Sequence, residues 1–221
     1  MFLEIKNLLS PADIARLTAL SRELRFVDGR VTNPANTTKQ NLQADHADPR
    51  FTEAVQVVQA AIMRSQEFMD FAMPKRIAPP LLSRYEPGMK YGAHADAAII
   101  QVPNGRIRSD LSCTVFVSTP ATYDGGELSL VSGNRTLTFK GGAGDAIVYP
   151  STTLHEVKPV RSGQRLVSIT FIESLISDQH QRLQVYELNE IAALEGLNMK
   201  WENRVRLDVV RQNLMRMWAK S

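Results

Sequence analysis

The feature that most constrains the fold is a series of short apolar segments, separated by turn residues, between positions 80 and 172. Turns are indicated by Pro87-Gly88, Gly125-Gly126 and the glycine-rich segment 141–144. No helical segments separate these runs, so a parallel α/β sheet is disfavoured. The series, about a hundred residues long, predicts a mainly β fold with flanking helices and a double-stranded β-helix (jelly roll) core. The predicted strands are 80–85, 90–95, 111–118, 126–131, 136–139, 146–149, 155–159 and 165–172.

Helical patterns lie on both sides of this core. Ser10-Pro11 suits the cap and first turn of a helix, and apolar residues recur at helical spacing as far as Leu24. Three further helices are predicted at 49–71, 179–194 and 200–218. The chain therefore divides into an N-terminal helical region packed on the core (1–75), a jelly-roll core (76–175) and a C-terminal helical extension (176–221).

Composition excludes some classes of protein and sets expectations about location. Lys and Arg number 26 against 23 Asp and Glu, for a net charge of +3, so nucleic-acid binding is not expected. The single cysteine, Cys113, shares a strand face with apolar residues and is predicted to be a buried structural thiol in a reducing compartment. No signal peptide and no membrane-spanning run is evident, so we expect a cytoplasmic protein. The two C-terminal helices either buttress the core or form a homo-oligomer surface.

Two residues in the segment 91–96 form most of a metal site. His94 and Asp96 are two residues apart on a predicted strand, so their side chains project from the same face. His155 begins a later predicted strand and is the candidate for the third ligand. Two histidines and one carboxylate on one face of a metal are typical of non-heme Fe(II) oxygenases. The other histidines, His46 and His180, are predicted to be bystanders.

Arg165 is the candidate anchor for a dicarboxylate co-substrate. It shares a strand face with the apolar residues Val167, Ile169 and Phe171, an unusual place for a charge unless an anion meets it. The planar guanidinium binds a carboxylate through two hydrogen bonds. The alternative is an arginine at the mouth of the barrel that reaches solvent.

A larger set of residues resembles the bacterial PKHD-type hydroxylases, which are Fe(II)- and 2-oxoglutarate-dependent dioxygenases related to prolyl 4-hydroxylase. The resemblance runs nearly from end to end. Its residues are Arg84-Tyr85, Gly88, Tyr91, His94, Asp96, Asp110-Leu111-Ser112, Thr114, the segment 123–128, Gly144-Asp145, Tyr149-Pro150-Ser151, His155 and Arg165.

The resemblance implies iron bound by His94, Asp96 and His155, and 2-oxoglutarate bound by Arg165. It also implies O2 as the oxidant, release of succinate and CO2, and L-ascorbate (vitamin C) as an auxiliary reductant. Tyr85 is a candidate donor to 2-oxoglutarate. Tyr91 is a second candidate cofactor contact or part of the cavity wall.

The substrate is not specified by these residues; a peptidyl proline and a small molecule both remain open. Lys39, Asn41 and Gln43 alternate and either line the cavity mouth or form a solvated segment. The segment 97–109 is a candidate lid over the iron. Two other functions remain as alternatives: a zinc-dependent hydrolase using the same three ligands, and a non-catalytic jelly-roll module that senses or binds iron or 2-oxoglutarate.

Overall fold

The computed structural model describes residues 1–220. Within that range the helices are α1 (Pro11–Glu23), α2 (Phe51–Arg64), α3 (Gln66–Ala72), α4 (Gln179–Glu195) and α5 (Trp201–Trp218). Four short strands precede the predicted core: β1 (Leu3–Ile5), β2 (Phe26–Asp28), β3 (Lys39–Gln40) and β4 (Leu42–Ala44). The next strands are β5 (Pro74–Ile77), β6 (Leu81–Tyr85), β7 (Lys90–His94), β8 (Ile99–Val102), β9 (Gly105–Arg108) and β10 (Leu111–Phe116). The remaining strands are β11 (Tyr123–Gly125), β12 (Leu128–Ser132), β13 (Arg135–Phe139), β14 (Ala146–Pro150), β15 (His155–Val157), β16 (Val160–Gly163) and β17 (Arg165–Ser174).

Most of these strands form two sheets. The major sheet has eight strands in the order β1-β14-β10-β17-β6-β4-β2, with β5 paired to β17. The minor sheet has five strands in the order β13-β12-β15-β7-β3. The neighbouring strands within both sheets are antiparallel. The predicted class, a mainly β fold with a jelly-roll core and flanking helices, is confirmed.

Residue alternation on β10 shows how the major sheet divides its two faces. Leu111, Cys113 and Val115 are buried in a cluster that includes apolar residues of α1, α2 and α3. Phe116 lies in a second buried cluster, together with Leu130 of the minor sheet. Because successive side chains point to opposite faces, one face of the major sheet packs on the helices and the other on the minor sheet. The functional side chains lie between the two sheets.

Two sequence predictions differ from the structure in the N-terminal part. The single helix predicted at 49–71 is two helices, because Ser65 is extended and its side chain accepts a hydrogen bond from the Phe68 backbone N–H, which starts α3. The region 1–75 also contributes β1 to β4 to the two sheets. The division at residue 75 stays a prediction about organisation along the chain, whereas the sheets themselves cross it.

The C-terminal helices α4 and α5 contact each other and leave apolar side chains in solvent. Leu194 and Trp201 are 82% and 72% exposed. The homo-oligomer surface therefore stays a prediction. Within residues 1–220, none of the helices combines the length and the apolar character needed to cross a bilayer.

Candidate active site

The candidate metal ligands meet where two neighbouring strands of the minor sheet run side by side. His94 ends β7 and His155 begins β15, and the two residues are directly opposite each other in the antiparallel pair. Asp96 follows two residues after His94, and its backbone N–H donates to the Ser151 carbonyl. Strand pairing therefore brings together residues that are separated by about sixty positions along the chain.

The three side chains converge on one point. One ligand atom from each of His94, Asp96 and His155 lies within 4.8 Å of the other two. The Nε2 atoms of His94 and His155 lie 3.9 and 3.7 Å from the Asp96 carboxylate oxygens. This spacing and this donor set suit a divalent transition metal with open positions on its far side.

The tautomer of each histidine is set by the backbone. His94 Nδ1 lies 2.8 Å from the Gly92 carbonyl oxygen, and His155 Nδ1 lies 2.9 Å from that of Thr153. A carbonyl only accepts, so each Nδ1 carries a proton, and in the neutral ring Nε2 presents its lone pair to the site. Burial, and then the neighbouring His155, lower the pKa of His94 to about 4. His94 is therefore neutral at pH 7, as a metal ligand must be.

A chain of hydroxyl groups orients the carboxylate of Asp96. Ser112 Oγ donates to Asp96 Oδ2 at 2.6 Å and lies 2.7 Å from Ser151 Oγ, which in turn accepts from Ser109 Oγ at 2.7 Å. All three serines are buried. Sequence reasoning identified Ser112 only as part of a motif. The sequence pattern that could have identified it is the alternation on β10, where the polar residues Ser112 and Thr114 occupy one face and apolar residues the other.

Arg165 is buried between the sheets without a partner for its charge. It is 1% exposed, and within residues 1–220 its Nε and Nη1 have no hydrogen-bond acceptor. Its guanidinium lies 5.0 Å from the ring centroid of Tyr85, the residue opposite it in the β17–β6 pair. Gly126 makes room for it, since a Cβ at that position would lie 2.9 Å from Arg165 Cδ. The alternative of a solvent-reaching arginine is therefore wrong.

Two tyrosines accompany these groups. The Tyr85 hydroxyl is buried and has no hydrogen-bond partner among residues 1–220. Burial raises the pKa of Tyr85 to about 12, so the phenol stays a donor at neutral pH. The Tyr91 ring stacks on His94 with centroids 3.6 Å apart, and its hydroxyl accepts from Asn33 Nδ2 at 3.1 Å. Tyr91 thus packs directly against a candidate metal ligand.

One cavity of about 670 Å³ contains all of the predicted site residues. Its lining includes His94, Asp96, His155, Arg165, Tyr85 and Tyr91. This volume falls in the range typical of small-molecule sites, about 300–1,000 Å³. The predicted lid at 97–109 contains the β8–β9 hairpin, and Ala97 with residues 99–103 lines the cavity.

The segment before α2 forms a polar wall of the same cavity. Lys39, Asn41 and Gln43 all line it and are 8%, 4% and 1% exposed, so they are not solvated. His46, predicted to be a bystander, also lines it, near Gln43 and stacked on Phe51. Sequence reasoning did not find Thr32 and Asn33, which lie in the same wall.

The donor set and the unpaired cation of Arg165 fit an iron site with a dicarboxylate beside it, and comparison with known proteins agrees. Residues 80–173 match the model of the 2OG-Fe(II) oxygenase superfamily. A PKHD-type hydroxylase of Sphingopyxis alaskensis is 49% identical over 98% of this chain and 99% of its own length. This chain belongs to the PKHD-type hydroxylase family. As a member, the hydroxylase is a 2-oxoglutarate-dependent dioxygenase that uses Fe(II), 2-oxoglutarate and O2.

Solved structures similar to the hydroxylase share its fold. A Trichoplax adhaerens prolyl hydroxylase, in complex with a hypoxia inducible factor peptide fragment, aligns with a TM-score of 0.60 at 15% identity, covering 78% of this chain and 83% of the other. A Pseudomonas putida prolyl-4-hydroxylase aligns with a TM-score of 0.54 at 18% identity, covering 78% and 92%. Both support the jelly-roll assignment.

Proposed function

We propose that the hydroxylase inserts oxygen into a C–H bond of a substrate held in the 670 Å³ cavity, with release of succinate and CO2. His94, Asp96 and His155 hold the iron, and Arg165 with Tyr85 holds 2-oxoglutarate. The observation that carries the proposal is the presence, in one cavity, of a convergent His-Asp-His set and a buried arginine without an acceptor.

The protein's own residues supply geometry and electrostatics. The backbone carbonyls of Gly92 and Thr153 accept from the Nδ1 atoms of the two histidines, so that both Nε2 atoms face the metal position. The Arg165 guanidinium donates to the far carboxylate of 2-oxoglutarate, and the Tyr85 phenol donates to the same group. When bound, iron supplies the redox chemistry that lets O2 react with an unactivated C–H bond.

Neither of the two alternative functions fits both these residues and the family. A zinc-dependent hydrolase with the same ligands needs only a metal-bound water and has no role for Arg165 or Tyr85. A non-catalytic sensing module uses all of these residues but differs from the family to which the chain belongs. L-Ascorbate, as an auxiliary reductant, and cytoplasmic location are part of the proposal.

The test is a substrate screen scored by succinate release with Fe(II), ascorbate and air. It includes proline-containing peptides, because two of the structural neighbours are prolyl hydroxylases, and small molecules. We expect succinate to form and O2 to be consumed together, and both to increase with a substrate. Binding of 2-oxoglutarate without any succinate would instead support a sensing module, and no binding would refute the proposal.

A further inference from the structure

Lys39 is a second cation in the cavity that the proposed function does not use. It lies on β3, opposite Tyr91 on the strand that carries His94. The side chain is buried, lines the cavity, and places its Nζ 5.5 Å from the ring centroid of Tyr91. Tyr91 in turn stacks on His94. A substrate within reach of the metal is therefore also close to this amine.

The amine has one hydrogen-bond partner and no ion pair among residues 1–220. Its Nζ donates to Thr32 Oγ1 at 2.6 Å, whereas an ammonium group has three donors. Two carboxylates, Asp28 and Asp96, act to raise the pKa of Lys39. Asp28 is held by Arg30 through several hydrogen bonds. The other, Asp96, faces the two histidines and Ser112.

The charges of the cavity balance without Lys39. Lys39, Asp96 and Arg165 are the charged side chains that line it. In the proposed complex, the charges of Fe(II) and Arg165 are offset by those of Asp96 and the 2-oxoglutarate dianion. Burial lowers the pKa of Lys39 to about 8, so at pH 7 the side chain is still mainly an ammonium group. A buried charge without a counter-ion is unfavourable unless a ligand supplies one.

Another part of the cavity wall is mostly apolar. The β8–β9 hairpin contributes Ile99, Ile100 and Val102 to the cavity, and β17 contributes Ile169 and Phe171. Next to Lys39, by contrast, the wall carries Thr32, Asn33 and Gln43. The cavity thus offers a cationic, hydrogen-bonding region around Lys39 and a hydrophobic region.

We propose that the substrate carries a carboxylate that pairs with Lys39, while its apolar part packs on the hairpin wall. Lys39 is then a specificity-determining residue. This inference rests on the proposed function, because it takes Arg165 to be occupied by 2-oxoglutarate. The carboxylate belongs to a small acid or to an acidic side chain of a peptide.

The test measures thermal unfolding of protein loaded with Mn(II) and saturating 2-oxoglutarate, conditions under which no turnover occurs. The probes are acetate, butyrate, hexanoate and benzoate, each compared with its neutral amide. Proline-containing peptides with Asp are compared with the same peptides carrying Asn. We expect the acids to raise the unfolding temperature more than the amides, and either the small acids or the Asp peptides to identify the source of the carboxylate.

Lys39→Met is the test variant and Lys90→Met is the control, since Lys90 is exposed at the start of β7. Replacing a buried unpaired charge with an apolar residue of similar size is neutral or stabilising, so Lys39→Met is expected to fold. The half-saturating acid concentration should rise about 10- to 150-fold in Lys39→Met, which is the loss expected when one hydrogen bond to a charged group is removed. Lys90→Met should behave as wild type.

Two results would overturn the inference: equal effects of acids and amides on the wild type, or an unchanged acid response in Lys39→Met. Stabilisation by 2-oxoglutarate alone is measured first on the wild type. Its absence would refute the proposed function, whereas its presence without any carboxylate effect would refute only the role of Lys39.

Discussion

Arg165→Lys keeps the positive charge at the co-substrate site but removes the planar fork. A guanidinium donates two parallel hydrogen bonds to a carboxylate, and an ammonium on a shorter side chain replaces at most one of them. A hydrogen bond to a charged group contributes about 1.5–3 kcal/mol. Because Arg165 is only 1% exposed, water does not compensate for the lost bond, so the full range applies.

The dissociation constant of 2-oxoglutarate should therefore rise about 10- to 150-fold in Arg165→Lys. The assay is isothermal titration calorimetry of 2-oxoglutarate into Mn(II)-loaded protein. Arg161→Lys is the matched control, because Arg161 lies on β16 in an exposed ion pair with Asp124. Equal dissociation constants for Arg165→Lys and wild type would remove Arg165 from the co-substrate site.

Three further predictions concern the metal ligands. Asp96→Ala should abolish Fe(II)-dependent 2-oxoglutarate turnover and leave the circular dichroism spectrum unchanged; retained turnover would refute Asp96 as a ligand. Ser112→Ala removes the 2.6 Å hydrogen bond to Asp96 and should weaken Mn(II) binding about 10- to 100-fold, measured by competition with a chelator, and unchanged affinity would contradict this. In metal-free protein, His94 accepts its proton at about pH 4 when native but near pH 6.5 when unfolded, so urea stability should decrease as the pH falls from 6.5 to 4. His94→Gln should flatten that slope, and an equal slope in the variant would refute the assignment.

The sequence predicted the jelly-roll core well because its strands are apolar and bounded by turns. For Arg165 the alternation with Val167 and Ile169 was informative, since a charge on an apolar face requires an anion. In the structure, strand β17 begins at Arg165, and the Arg165 side chain is buried. His94 and His155 could also be assigned to one metal site from the sequence. A facial metal site uses few residue types, and they occur in a recognisable order along the chain.

The polar wall was harder to predict. Strand β3 has only two residues, Lys39 and Gln40, and neither is apolar, so periodicity gives no signal there. Its position depends on pairing with β7, a contact between segments about fifty residues apart. The break at Ser65 was missed for a related reason, because the apolar spacing continues through the serine that caps the next helix.

The three functions assigned to the cavity come from different parts of the two sheets. Neighbouring strands β7 and β15 carry the metal ligands, neighbouring strands β6 and β17 carry Tyr85 and Arg165, and the edge strand β3 carries Lys39. Because Arg165 and Lys39 are positioned by different strand pairs, β17–β6 and β3–β7, substitutions of the two cations should have nearly additive effects. In the double variant Arg165→Lys/Lys39→Met, 2-oxoglutarate binding should weaken by the factor found for Arg165→Lys alone. Binding of the substrate carboxylate should weaken by the factor found for Lys39→Met alone. A double variant that departs from additivity by more than about 0.5 kcal/mol would show that both cations bind one ligand, and Lys39 would then belong to the co-substrate site.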